Sequence, residues 1–150
     1  MADIPARPVL QLRLVVEAQD YDQALAFYRD ALGLPQLEAY TGDGDARVAI
    51  LDAGRATLEI ANPAQKHMID DVEVGRQVAP RLRVAFEVTD AAGVTTDLVG
   101  AGASLVAPPV RTPWNSLNAR LDAPADLQIT VFQELDAPAT PSPADGPREG

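Results

Sequence analysis

An internal repeat constrains the fold of this chain more than any other feature of its sequence. Residues 13–20 read Arg-Leu-Val-Val-Glu-Ala-Gln-Asp and residues 83–90 read Arg-Val-Ala-Phe-Glu-Val-Thr-Asp, so that Arg, Glu and Asp recur at the same spacing. A helix-like stretch and a glycine follow each copy. The repeat is too long for a solenoid unit and too short for an independent domain. It predicts one domain built from two duplicated modules, with a site between equivalent strands.

The first copy predicts a strand, a helix and three more strands. Residues 9–18 alternate apolar and polar side chains, which is typical of a half-buried strand. Asp20 is placed to cap a helix, and Gly33 is placed to end it. Further strands are predicted over residues 37–40, 46–51 and 56–61. The Gly-Asp-Gly-Asp run at 42–45 predicts a hairpin turn.

The second copy repeats this order. An alternating strand ends near Val88, and Asp90 is placed to cap a helix that runs to about Val99. Further strands are predicted over residues 104–107, 114–121 and 127–134. The sequence therefore predicts one domain over residues 1–135, in which module one covers 9–61, a linker covers 62–78 and module two covers 79–135. Residues 136–150 are rich in proline and small polar residues, which predicts a disordered tail.

Composition limits the partners and the chemistry. The chain of 150 residues has a net charge of -10, which argues against nucleic acid and anionic membranes as partners. It contains no cysteine, which excludes disulfides, thiolate nucleophiles and cysteine metal sites. Neither a signal peptide nor a run of about 18 apolar residues is evident, so we expect a cytoplasmic protein.

Three segments resemble a known superfamily. Residues 20–34 include Phe27-Tyr28 and Leu32-Gly33 and resemble the first helix of the vicinal oxygen chelate superfamily, which contains glyoxalase, bleomycin-resistance and extradiol dioxygenase proteins. Residues 84–90 and 130–132 resemble the opening and closing strands of its second module. The resemblance implies an α+β fold in which two βαβββ modules form a curved, partly closed mixed sheet, a cup, with the helices outside.

The resemblance also implies where a divalent metal would bind. The metal ligands of the family come from the first and last strands of each module, and these positions fall on Arg13, Glu59, Arg83 and Thr130. Arginine has no lone pair to offer a cation, and threonine is a weak neutral ligand. Only Glu59 is a plausible metal ligand, so we predict that the protein binds no metal and no cofactor. The missing metal ligands also disfavour a dioxygenase. We interpret His67, the single histidine, as an exposed linker residue.

The two arginines at these positions have two interpretations. Arg13 and Arg83 would bind a carboxylate, phosphate or enolate of a ligand in the cup. Alternatively, they pair with Glu17, Glu59 and Glu87 in a structural ion network, since each arginine shares a strand face with the glutamate four residues later. The two interpretations are compatible if a ligand displaces part of the network.

Trp114 is the third candidate for contact with a ligand. The predicted alternation places it on one strand face with Ser116, Asn118 and Arg120. The opposite face carries Leu117, Ala119 and Leu121. If this apolar face packs on the helices, the indole points into the cup and would stack on a planar ligand. Alternatively, Trp114 shields the rim of the cup or forms a dimer contact.

These observations favour a metal-independent protein that binds a planar or anionic small molecule. The expected ligand-binding residues are Arg13, Glu59, Arg83, Trp114, Asn118 and Thr130. The alternative is an enzyme, a lyase, isomerase or hydrolase, in which Glu59 is the catalytic general base and Arg13 or Arg83 stabilises an oxyanion. A third class is a structural or regulatory dimer with a vestigial cup.

The open strand edges predict a homodimer with residues 62–78 near its interface.

Overall fold

The computed structural model describes residues 10–135, so the predicted tail at 136–150 lies outside the described residues. The elements in chain order are α1 (Tyr21–Leu25), which continues as a π-helical turn (Ala26–Ala31), β1 (Gln36–Thr41), β2 (Arg47–Leu51), α2 (Pro63–Glu73), β3 (Val84–Glu87), α3 (Ala91–Gly100), β4 (Ser104–Arg111), β5 (Ser116–Ala123) and β6 (Leu127–Glu134). No helix within residues 10–135 has the length and apolar character needed to cross a membrane.

Module two forms the predicted βαβββ unit. Its four strands follow the order β3-β6-β5-β4, with β3 parallel to β6 and the other pairs antiparallel. The Asp90 carboxylate caps α3 by accepting a hydrogen bond from the amide of Gly93 at 3.0 Å. The α+β prediction is confirmed, although the sheets are not closed into one cup.

The apolar core lies between α3, the helix of module one and one face of this sheet. Its fully buried members are Phe27, Ala91, Leu98, Ala119, Leu121, Ile129 and Val131. Tyr28 packs edge-on against Phe27 and donates a hydrogen bond to the carbonyl of Pro124 at 2.9 Å. Burial raises the pKa of the Tyr28 phenol, which keeps the phenol a donor. The helix of module one is thereby fixed to the β5–β6 turn of module two.

Module one is only half formed. β1 and β2 pair as an antiparallel hairpin, as predicted. The strands predicted at 9–18 and 56–61 are wrong for this chain, because residues 10–18 and 56–61 are in no strand. Their apolar side chains are open to water, with Leu10 94% and Ile60 90% exposed. A strand needs a neighbour for its backbone groups, and the described chain places none beside these segments.

The linker contains a helix that the sequence analysis did not predict. Asn62 caps α2 by accepting a hydrogen bond from the amide of Gln65 at 3.0 Å, and Pro63 occupies the first turn. α2 lies against β4 and β5, on the sheet face opposite the apolar core. Helices therefore cover both faces of the module-two sheet, whereas the sequence predicted helices on the outside only.

Candidate functional site

One face of β5 and β6 is lined by buried polar side chains. Ser116, Asn118 and Arg120 on β5 alternate with core residues, as do Gln128 and Thr130 on β6. All five are buried, and four of them have no exposed area. Because side chains alternate across a strand, these residues share the face covered by α2. Buried polar groups are costly unless they are hydrogen-bonded, so their partners define the site.

Arg120 lies at the centre of this face. Its Nη1 donates to Asp70 Oδ1 and to Gln128 Oε1, both at 2.8 Å. Its Nε and Nη2 both donate to Glu73 Oε1, at 3.1 and 2.8 Å. All three nitrogens of the guanidinium are therefore engaged, and α2 supplies both of its carboxylate partners. A buried arginine is tolerated only when such partners are present.

Asp70 is anchored by the backbone as well as by Arg120. Its Oδ2 accepts hydrogen bonds from the amides of Val78 at 2.9 Å and Ala79 at 2.8 Å. Burial alone would raise the pKa of Asp70, but these amides and the Arg120 guanidinium together hold the pKa below its ordinary value. Asp70 thus ties α2 both to the sheet and to the segment that leads to β3.

Glu73 is held by side chains of the sheet. In addition to the contacts with Arg120, its Oε2 accepts a hydrogen bond from Asn118 Nδ2 at 2.7 Å. Thr130 Oγ1 donates to its Oε1 at 3.4 Å and accepts from Arg83 Nη1 at 2.6 Å. A guanidinium, an amide and a hydroxyl therefore converge on one carboxylate. Arg83 fixes the position of this hydroxyl by donating a hydrogen bond to it.

The polar network continues from Asn118 to the β4–β5 turn. Ser116 Oγ donates to Asn118 Oδ1 at 2.7 Å and lies 2.8 Å from Thr112 Oγ1. Trp114 lies in this turn, because β5 begins at Ser116 and not at Trp114 as predicted. Asn115 takes the left-handed conformation there, at φ 68°. Within residues 10–135 the buried indole Nε1 of Trp114 has no hydrogen-bond partner.

The structure brings together only some of the expected site residues. Arg83, Asn118 and Thr130 meet around Glu73, and Trp114 lies at the turn beside them. Arg13 and Glu59 lie on the two exposed segments that form no strand. His67 is exposed on α2. Arg13 donates a hydrogen bond from its Nε to Gln11 Oε1 at 3.0 Å, and a buried ion network lies around Arg120.

Sequence reasoning missed four residues of this site. They are Asp70, Glu73, Arg120 and Gln128. The alternation of β5 did place Arg120 on the face of Asn118. The two carboxylates were missed because the linker was not predicted as a helix, although Asn62-Pro63 is a helix-start signal.

We expect Asp70 to make stability depend on pH. Its folded-state pKa lies below its unfolded value, so ionised Asp70 contributes stability that is complete above about pH 4 and is lost as the pH falls through the folded-state pKa. Asp70→Asn should lower the free energy of unfolding by about 3 kcal/mol near neutral pH, and by much less in acid. Urea unfolding at several pH values measures this difference.

Asp71→Asn is the matched control, because Asp71 is the exposed neighbour of Asp70. It should change the free energy of unfolding by less than about 0.5 kcal/mol at every pH. A cost of Asp70→Asn that stays constant down to about pH 2 would contradict this account.

Three solved structures show the same fold. A glyoxalase family protein from Bacillus cereus is 18% identical, with a TM-score of 0.54 over 89% of this chain and 100% of its own. A glyoxalase-related enzyme from Fulvimarina pelagi is 19% identical, with a TM-score of 0.52 over 93% and 96%. A member of the glyoxalase/bleomycin resistance protein/dioxygenase superfamily from Sphaerobacter thermophilus DSM 20745 is 20% identical, with a TM-score of 0.52 over 80% and 92%. At these identities the likeness shows the fold alone.

The family match covers both modules. No significant match was found among curated proteins. The model of the family described as Glyoxalase/Bleomycin resistance protein/Dioxygenase superfamily matches residues 11–130. This range includes the exposed segments of module one, the linker helix and the polar face of module two. The resemblance expected from the sequence is confirmed, and the chain belongs to the Glyoxalase/Bleomycin resistance protein/Dioxygenase superfamily.

Proposed function

We propose that this protein binds an anionic or planar organic small molecule on the polar face of β5 and β6, without a divalent metal. The observation that carries the proposal is the convergence of Arg120, Asn118 and Thr130 on one carboxylate group. In a small-molecule site, a few placed polar groups fix the orientation of the ligand and provide specificity. Charge-assisted hydrogen bonds from a guanidinium favour carboxylate and phosphate groups.

The residues at the metal positions of the family support the metal-independent part of the proposal. Arg13, Glu59, Arg83 and Thr130 fall at these positions, and a guanidinium cannot coordinate a cation. Arg83 also donates to Thr130 at 2.6 Å, so two of the four positions are joined by a hydrogen bond. This donor set suits an anion and does not fit a metal ion.

Trp114 supports a planar ligand. Trp114 lies in the turn that leads into β5, two residues before Ser116, and its indole Nε1 is buried. A buried donor without a partner costs about 1–3 kcal/mol, which an acceptor atom of a ligand would remove. The enzymatic alternative has less support, because its general base Glu59 lies on an exposed segment and not on the polar face.

We also propose that the protein is a homodimer. Residues 10–18 and 56–61 carry the apolar alternation of strands but lie open to water, with Leu58 75% and Ile60 90% exposed. A second copy of the chain would give these segments a partner and cover their apolar side chains. Arg13 and Glu59, which lie on these segments, would then lie at or next to the interface between the two chains.

Light scattering at micromolar concentration should give twice the chain mass of 15.9 kDa. Ile60→Asp should shift the protein towards the mass of one chain, because a charge would be buried in the interface. Val99→Asp is the control, since Val99 is an apolar residue 42% exposed on α3 and lies on neither of these segments. A single-chain mass for the unchanged protein would overturn the dimer.

Thermal melting tests the ligand proposal. Benzoate or phenyl phosphate should raise the melting temperature, whereas benzamide, which is planar but uncharged, should raise it less. A ligand at 100 times its dissociation constant adds about 2.7 kcal/mol of stability.

The divalent metals Ni²⁺, Zn²⁺, Mn²⁺ and Fe²⁺ should add no stability. The double variant Arg13→His and Arg83→His should respond to these metals, because imidazole coordinates them and guanidinium does not.

The opposite pattern would overturn the proposal. If none of the organic anions stabilises the protein, and a metal bound to the unchanged protein is lost in Glu59→Ala, then the site is a metal centre. The enzymatic alternative would then replace the binding function.

A further inference from the structure

Glu73 occupies the position that an anionic ligand would take. Its carboxylate accepts hydrogen bonds from Arg120 and Asn118 at 2.7–3.1 Å, with Thr130 at 3.4 Å. These are the donors that would recognise the carboxylate of a small molecule. The site is therefore already filled by a group of the ligand's own chemical class.

The two buried carboxylates of α2 differ in what holds them. Asp70 is fixed by two backbone amides as well as by Arg120. Glu73 is fixed by side chains of the sheet. Removing Glu73 from Arg120 would leave the arginine with Asp70 and Gln128, so the guanidinium would keep partners for Nη1 while a ligand took Nε and Nη2.

The position of Glu73 in α2 makes its release easier. Glu73 is the last residue of the helix, where the partial negative charge of the helix end disfavours a carboxylate. Gly75 follows at φ 86°, a conformation that glycine adopts without strain. The last turn is closed by the amides of Val74 and Gly75, which donate to the carbonyl of Asp70 at 2.8 and 2.9 Å. Opening the turn would break these two bonds and the contacts of the Glu73 carboxylate, and it would involve the segment that Gln77 holds to α2 through His67 and Asp71.

The energetics of the contact also favour exchange. α2 buries one apolar side chain, Ile69, together with Asp70 and Glu73. A buried ion pair gives little net stability, because the desolvation of both charges offsets their attraction. A ligand carboxylate with the same hydrogen bonds would therefore replace Glu73 at a small cost, and its organic part would add apolar contact.

We propose that Glu73 is an internal substitute for the carboxylate of a ligand, and that a carboxylic acid binds by displacing Glu73 and opening the last turn of α2. This proposal rests on the binding function proposed above. It narrows the ligand class to compounds with a free carboxylate, and it makes α2 a helix that closes the empty site.

Competition between Glu73 and benzoate gives the first test. Glu73→Gln keeps the volume of the side chain but weakens its hold on Arg120, because a neutral acceptor replaces a charged one. In a larger fraction of molecules the last turn of α2 would then be open and the Glu73→Gln side chain away from Arg120. The apparent dissociation constant for benzoate should therefore fall by about tenfold. Asp97→Asn, an exposed change on α3, should leave this constant unchanged. Titration calorimetry measures both.

Hydrogen exchange of the unchanged protein gives the second test and does not depend on a variant folding. Benzoate should speed exchange at Val74 and Gly75, whose amides close the last turn. It should leave exchange unchanged at Val78 and Ala79, whose amides are bound by Asp70. Binding without this pattern, or Glu73→Gln that binds benzoate no more tightly, would overturn the displacement while leaving the binding function intact. No binding of any organic anion to either protein would overturn the binding function itself.

Discussion

A guanidinium without access to water governs the arrangement of module two. Arg120 projects from the middle of β5, and its burial requires acceptors that the sheet alone does not supply. Gln128 provides one, and α2 provides two carboxylates. The linker therefore folds back over the polar face. The position of α2 and the coverage of the sheet on both sides follow from this requirement.

The two modules share a sequence pattern but not a finished structure. The module-two sheet has a helix on each face, and the linker helix α2 supplies the carboxylates that its buried polar face requires. Module one contributes a helix to the shared core and a hairpin, and it leaves residues 10–18 and 56–61 exposed. In module two, segments with this alternation form β3 and β6, which pair with each other. In module one, the corresponding segments have no neighbouring strand to pair with. A second chain would cover the apolar side chains of these segments, which carry Arg13 and Glu59, the two expected site residues outside module two.

The sequence predicted those features that depend on local or periodic signals. The alternation of β5 placed Leu117, Ala119 and Leu121 in the core, as observed, because a strand turns successive side chains to opposite faces. Asp90 was correctly identified as the cap of α3. α2 was not predicted, because the face it buries is mostly polar and leaves no apolar period in the sequence. The pairing of Arg120 with Glu73 joins residues 47 apart and depends on how the linker crosses the sheet, which no local pattern encodes.

A crystal structure of the full chain with benzoate tests most directly whether the face around Arg120 is an anion site that Glu73 fills until a ligand binds. We expect the benzoate carboxylate on Arg120 and Asn118, the Glu73 side chain turned away from the sheet, and Asp70 still bound to Val78 and Ala79. Glu73 still bound to Arg120 and Asn118, with benzoate elsewhere on the protein, would contradict it.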